Sequence, residues 1–281
     1  MMSILSYSFF QYALLGSLLA SILCGMVGTY IVSRRLVFIG GGLSHASLGG
    51  IGLGVWLGIN PLLSALVFAV ASACGIQWLS RQGRVREDSA IALFWTFGMS
   101  LGIICCFLTP GFMSDLSSYL FGSILTITGS DLWLLGAVTA FTLLCFTLGF
   151  RLIRAVAFDA VFARSLHLPV TLVEYLLMVI IALTVVATLR LVGIVLVISL
   201  LTIPQTTAAL FTSRLQSMML LSILFGCIGC LAGLALSYWF NVPSGAAIIC
   251  FSILLYLLLR VGKGFIRKAD ALKGVEKDVK R

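Results

Sequence analysis

The stretch LQSMMLLSILFGCIGCLAGLALSYW, residues 215–239, runs for 25 residues without one Asp, Glu, Lys, Arg or His. A helix needs about 20 apolar residues to cross the hydrocarbon core of a bilayer, and this run is long enough. Its apolar residues are continuous, whereas the strands of a membrane barrel alternate lipid-facing and lumen-facing positions. Runs of the same kind recur at 8–32, 37–57, 61–79, 89–108, 131–150, 170–189, 191–212 and 244–260, which makes nine candidate spans within a range of eight to ten. The whole chain is 61% hydrophobic and 10% charged over 281 residues, with a mean hydropathy of +1.18. Soluble domains are about 45–50% apolar and about 25% charged. Inside a bilayer every backbone N–H and C=O must be satisfied within the protein, and continuous apolar runs do this as helices. The expected fold is an all-α, polytopic transmembrane helical bundle over 1–262, followed by a basic tail at 263–281.

Charge sets the orientation. Arg34, Arg35, Arg81, Arg84, Arg86, Arg151, Arg154, Arg164, Arg214 and the eight basic residues from Arg260 to Arg281 make 17 of the 18 Lys and Arg residues. Nine spans with the N-terminus outside put all 17 on one face, which the positive-inside rule makes cytoplasmic, with the C-terminus on that side. Arg190 is left at the other face, where its long side chain can reach the outer headgroups. The net charge of +9 is therefore read as loop bias toward the membrane and its lipid. No basic and aromatic residues interleave on a soluble face, so nucleic acid is excluded as a partner. The first apolar run is longer than a signal-peptide core and lacks a basic segment before it, so it is expected to be the first span. The segment 110–130, with Pro110, Gly111 and Asp115, reads as a loop or as a short interfacial or re-entrant helix.

The second span is rich in glycine: Gly40, Gly41, Gly42, Gly49, Gly50, Gly52 and Gly54. Small residues let helix backbones approach closely in lipid, so this span is expected at the centre of the bundle. Pro61, Pro169 and Pro243 fall at helix starts, where the missing N–H is harmless; Pro204 falls inside the seventh span and predicts a kink. Eight cysteines all lie in apolar runs. Cys227 and Cys230 form a C-x-x-C, but no second pair or histidine accompanies them, so they read as helix-packing residues.

Ionisable residues within spans mark functional sites by default. His45 is one of only two histidines and stands among glycines and Ser44 and Ser47. It reads either as a ligand or gate on a cation path, imidazole being a common metal ligand, or as a neutral histidine bonded to a neighbouring helix. Glu174 either lines a path or complements a helix N-terminus at the membrane surface. Asp88 and Asp131 read as N-caps. Residues 151–168 mix apolar and basic side chains at helical spacing, which suits an amphipathic surface helix or a docking helix for a soluble partner. No phosphate-binding loop, zinc-protease motif or nucleophile elbow occurs. The chain is expected to be no enzyme, and any ATP hydrolysis belongs to another subunit.

Six segments taken in order carry a resemblance: Ser33-Arg-Arg-Leu-Val-Phe-Ile-Gly with Leu43-Ser-His-Ala-Ser; Arg86-Glu-Asp-Ser-Ala-Ile-Ala; Tyr119-Leu-Phe-Gly-Ser-Ile-Leu; Phe158-Asp-Ala-Val-Phe-Ala-Arg-Ser; Leu191-Val-Gly-Ile-Val-Leu-Val; and Val242-Pro-Ser-Gly-Ala-Ala-Ile. Together they resemble the metal-ion permeases of ABC importers, which move zinc, manganese or iron. The resemblance implies a homodimer of permease subunits in the bacterial inner membrane. Cytoplasmic ABC ATPase subunits bind the ATP, and a periplasmic or lipoprotein metal-binding protein delivers the ion. It implies that Phe158, Asp159, Phe162, Ala163 and Arg164 belong to the segment gripped by the ATPase. It places His45 on the metal path; from ligand chemistry, the hydroxyls of Ser44 and Ser47 are expected to support the ion and Gly41 to leave it room. Family members commonly carry an acid where Gly41 stands and a glycine where His167 stands. The function so implied is uptake of a divalent transition metal ion by ATP-driven alternating access, zinc ranked first. The rival readings are a siderophore- or cobalamin-type ABC permease and an ion-coupled secondary metal transporter. The latter needs intramembrane carboxylates, and spans one to five have none away from their ends.

Overall fold

The computed structural model describes residues 8–83, 85–109 and 127–279. The loop or re-entrant helix expected at 110–130 lies outside them up to residue 126, as do the side chains of Arg190 and of the tail from residue 266 on. Among the described residues the regular elements are helices: α1 (Ser8–Ser33), α2 (Val37–Trp56), α3 (Pro61–Arg81), α4 (Glu87–Leu108), α5 (Gly129–Phe158), α6 (Ala160–Ser165), α7 (Val170–Leu200), α8 (Ile203–Ala209), α9 (Leu215–Phe240) and α10 (Ser244–Val279). Nine stretches of them are long and apolar enough to span a membrane, with α7 contributing one span before its break and another, after it, together with α8. Large exposed side chains such as Leu63, Phe107, Trp133, Leu148, Leu220 and Leu258 coat the outside, as expected where lipid is the solvent. Helix α10 continues without a break across the boundary expected at residue 262.

Glycine places α2 at the centre. A Cβ on Gly49 would stand 2.6 Å from the carbonyl oxygen of Gly98, and one on Gly52 would stand 2.6 Å from that of Gly102, both on α4. On its other side Gly50 and Gly54 press on Ala65, Ser64 and Pro61 of α3. Gly40 and Gly41 face Leu201 and Ile198 at the end of α7. One helix thus meets two neighbours at near-backbone distance and a third through side chains, the small-residue packing that membrane helices use.

Helix ends follow local chemistry. Asn60 accepts from the backbone N–H groups of Leu62 and Leu63 at 2.9 and 3.4 Å, with Pro61 in the first position of α3. Asp131 is not the N-cap expected for it. It stands at the third position of a capping box whose cap is Thr128, and its Oδ2 accepts from the Thr128 backbone N–H at 3.1 Å. Asp88 is likewise a first-turn residue of α4, whose N-cap is Arg86; acids there favour the helix dipole without capping it.

The sixth and seventh spans are joined at Gly193, with φ 71° and ψ 168°, a region essentially reserved for glycine. The chain reverses there. Glu174 pairs with Arg164 while Arg214 lines a cavity with Arg154 and Phe158, so both ends of this hairpin reach the same, basic end of the bundle. The kink expected from Pro204 is a break at Leu201 and Thr202, and Pro204 lies in the first turn of α8. Pro204 has no N–H for the carbonyl of Leu200 four residues earlier. The Gln205 side chain takes that place, donating through Nε2 to Leu200 O at 3.0 Å and to Cys24 O of α1 at 2.7 Å.

Candidate functional site

His45 lies midway along α2. Its ring stacks on Trp95 of α4, with centroids 4.7 Å apart and planes 6° apart, and the Trp95 Nε1–H donates to Met99 Sδ at 3.0 Å. The histidine is half-buried, and its buried Nδ1 has no hydrogen-bond partner among the described residues. Buried polar atoms are nearly always paired, so an imidazole nitrogen left over inside a bundle is chemically available. Gly41, one turn earlier, meets a side chain and no backbone: a Cβ there would sit 3.4 Å from Ile198 Cδ1, an ordinary contact.

Ser44 and Ser47 are fully buried. Their hydroxyls donate to carbonyls of their own helix, Ser44 to Gly40 O at 2.7 Å and Ser47 to Ser44 O at 2.6 Å. What either can offer an ion is an oxygen lone pair. Among the described residues no three His, Cys, Asp or Glu side chains gather as a metal cluster. Cys230 takes part in packing, accepting from the Ser21 hydroxyl at 3.6 Å.

At the basic end, residues 151–168 are not one surface helix. Nothing between Arg151 and Phe158 breaks a helix, so α5 runs on through both arginines. Asp159 ends it with φ −150° and starts α6, its Oδ1 accepting from the N–H groups of Val161 and Phe162 at 3.0 and 2.8 Å. Phe158, Val161 and Phe162 stand 64%, 76% and 60% exposed, while Ala163 is fully buried. A six-residue helix is thus anchored by one alanine and presents an apolar face outward.

Arg164, the one basic residue of α6, reaches Glu174 of α7 at 3.7 Å. The same carboxylate lies 3.7 Å from Arg34 beyond α1 and accepts from Gln77 Nε2 of α3 at 3.1 Å. Arg34 in turn donates to the Val156 carbonyl of α5 at 3.2 Å. Glu174 is 5% exposed and sits past the first turn of α7, so it serves as the junction of five elements and not as a complement to a helix N-terminus. Its partner Gln77 and the stacking partner Trp95 were missed from sequence. The only available signal was a polar or aromatic residue inside an apolar run, which does not say what faces it.

Residues 6–262 match the pattern of the ABC 3 transport family. The chain is 42% identical over 258 residues to an uncharacterised membrane protein of Synechocystis, covering 92% of each. It is 37% identical over 255 residues to the manganese transport system membrane protein MntC of Halalkalibacterium halodurans, covering 91% of this chain and 87% of the other. Its structure superposes on PsaBC from Streptococcus pneumoniae, solved in complex with Fab, with a TM-score of 0.80 and 31% identity over 90% of this chain and 91% of that one. An α-helical bundle with nine candidate spans among the described residues and a glycine-packed second span, matched over nearly its whole length, is thus a multi-pass protein of the plasma membrane, and the chain belongs to the ABC 3 transport family, the metal-ion permeases of ABC importers.

Proposed function

We propose that this chain is the membrane subunit of an importer for a divalent transition metal ion, with manganese the first candidate cargo. The sequence alone ranked zinc ahead. Manganese-system relatives, at 37% identity in one case and 33% in another, favour manganese. The observation that carries the reading is the unpartnered Nδ1 of His45 on a glycine-lined helix at the bundle centre. A cargo ion must bind weakly enough to leave. One imidazole, with the hydroxyl oxygens of Ser44 and Ser47 on the same helix and no side chain at Gly41 one turn away, is suited to that.

In this reading the basic end and the C-terminal tail at 263–281 face the cytoplasm. The exposed apolar face of α6, with Phe158, Phe162 and the capping Asp159, docks the ATPase subunit, which binds the ATP. Ala163 and Arg164 transmit its motion, the latter through Glu174 to α1, α3 and α7. The chain performs no covalent chemistry, and a binding protein outside supplies the ion.

Transport and thermal stability measured on the same purified variants, reconstituted with the ATPase, test the assignment. His45→Ala should fold normally and lose most manganese uptake, and His45→Leu should lose more because it plugs the passage. If His45 were purely structural, its removal would show as a lower melting temperature, because Trp95 loses its stacking partner. Full uptake by a well-folded His45→Ala protein overturns the path assignment.

A further inference from the structure

Two cavities adjoin between α5 and α9. One, of about 490 Å³, is an apolar groove walled by Leu143 and Phe150 of α5, Met219 and Ile223 of α9, and Met26 of α1. The other, of about 320 Å³, lies at the basic end and is lined by Arg154, Phe158, Ser213 and Arg214. Gln216 lines both, so the two are neighbours along the same pair of helices.

The shape follows from helical register. Leu143, Thr147, Phe150 and Arg154 succeed one another every three to four residues and share one stripe of α5. Arg214 lies at the start of α9, with Met219 and Ile223 deeper along it. Both helices therefore offer apolar side chains that end in an arginine at the same level. From Leu143 to Arg154 is eleven residues, roughly 16 Å at the helical rise, which is close to one leaflet of a hydrocarbon core of about 30 Å. Among the described residues neither Arg154 nor Arg214 has a carboxylate within ion-pair distance; the ion pairs found there are those of Glu174. Two unneutralised guanidinium groups above an apolar slot one leaflet deep are complementary to an amphiphile with an anionic head. Arginine suits phosphate because its planar fork gives paired hydrogen bonds, and basic pockets between membrane helices on the cytoplasmic side recognise anionic lipid heads.

We propose that this groove binds one anionic phospholipid of the cytoplasmic leaflet, its phosphate held by Arg154 and Arg214 and an acyl chain lying between α5, α9 and α1. The assignment of leaflet rests on the orientation given above, which impermeant labelling of a cysteine at Ala160 checks separately.

The test uses the full chain in detergent, titrated with dioleoyl phosphatidylglycerol or dioleoyl phosphatidylcholine and read by native mass spectrometry, with thermal stability recorded alongside. The wild type should retain phosphatidylglycerol in preference to phosphatidylcholine. The double variant R154Q/R214Q should bind phosphatidylglycerol roughly thirtyfold more weakly, the loss expected for two arginines facing an anionic head, with its melting temperature kept. Met219→Trp, which fills the slot, should reduce retention of both lipids. Equal retention of the two lipids by the wild type overturns the proposal. So does a double variant that keeps the preference yet no longer co-purifies with the ATPase, since the mouth is then a subunit contact.

Discussion

Gly41 and Gly49 are both small residues on α2, yet their neighbours make opposite demands. An added Cβ at position 49 meets the Gly98 carbonyl oxygen at 2.6 Å and its Cα at 3.0 Å. Backbone cannot step aside as a side chain can, so Gly49→Ala should push α2 and α4 apart and cost about 1–3 kcal/mol as overpacking. At position 41 the nearest atom is Ile198 Cδ1 at 3.4 Å. Gly41→Ala should therefore keep or slightly raise stability, since alanine gains up to about 1 kcal/mol over glycine in a helix. Melting curves of the two variants in one detergent decide the matter; equal destabilisation would mean that the two faces of α2 are not as distinct as drawn. The glycine content alone marked α2 as central, but sequence could not say which glycine meets backbone and which meets a side chain.

Helix α6 shows what ends an element when the usual residue is missing. After Leu166, His167 adopts φ 56°. The Leu168 N–H donates to Ala163 O at 3.2 Å and the His167 N–H to Arg164 O at 3.0 Å. This paired pattern is the Schellman motif, whose left-handed position is normally glycine. Histidine there carries a Cβ strain of roughly 1–2 kcal/mol. His167→Gly should thus stabilise the α6 turn by about 1 kcal/mol, partly offset by the greater freedom of glycine in the unfolded chain. Hydrogen exchange across 160–168 is the sensitive readout, and faster exchange in the variant would contradict the strain argument. The sequence reading, through the family resemblance, already placed an expected glycine at this position; the backbone angle supplies the reason.

Across the whole molecule, Glu174 joins the ends of α1, α3 and α7 to α6. Its side chain is 7% exposed while those of Arg34 and Arg164 are 22% and 52% exposed, so the carboxylate depends on its partners more than they depend on it. Glu174→Gln keeps the shape and the option of bonding Gln77, and removes the charge that faces two arginines. Stability should fall by about 1–3 kcal/mol. On the proposed function, metal moved per ATP hydrolysed should fall as well, because α6 loses its link to α7. Unchanged melting and unchanged transport per ATP together would show that the junction is incidental.

The spans found among the described residues were legible in the one-dimensional pattern, because the bilayer acts on each run separately. Length and the absence of charge insert a helix, and arginine placement orients it, with no partner required. The same local logic exposed the Gly-rich second span and the break near Pro204. Tertiary structure alone decided what crosses between runs. Periodicity did not predict that Gln205 would replace the N–H missing at Pro204, that Trp95 would cover His45, or that Glu174 would gather Arg34, Gln77 and Arg164 from elements far apart in the chain. Those outcomes depend on which helix faces are apposed. In lipid, where tails are as apolar as leucine, that choice is made by close packing and a few hydrogen bonds, and a hydrophobicity pattern does not record them.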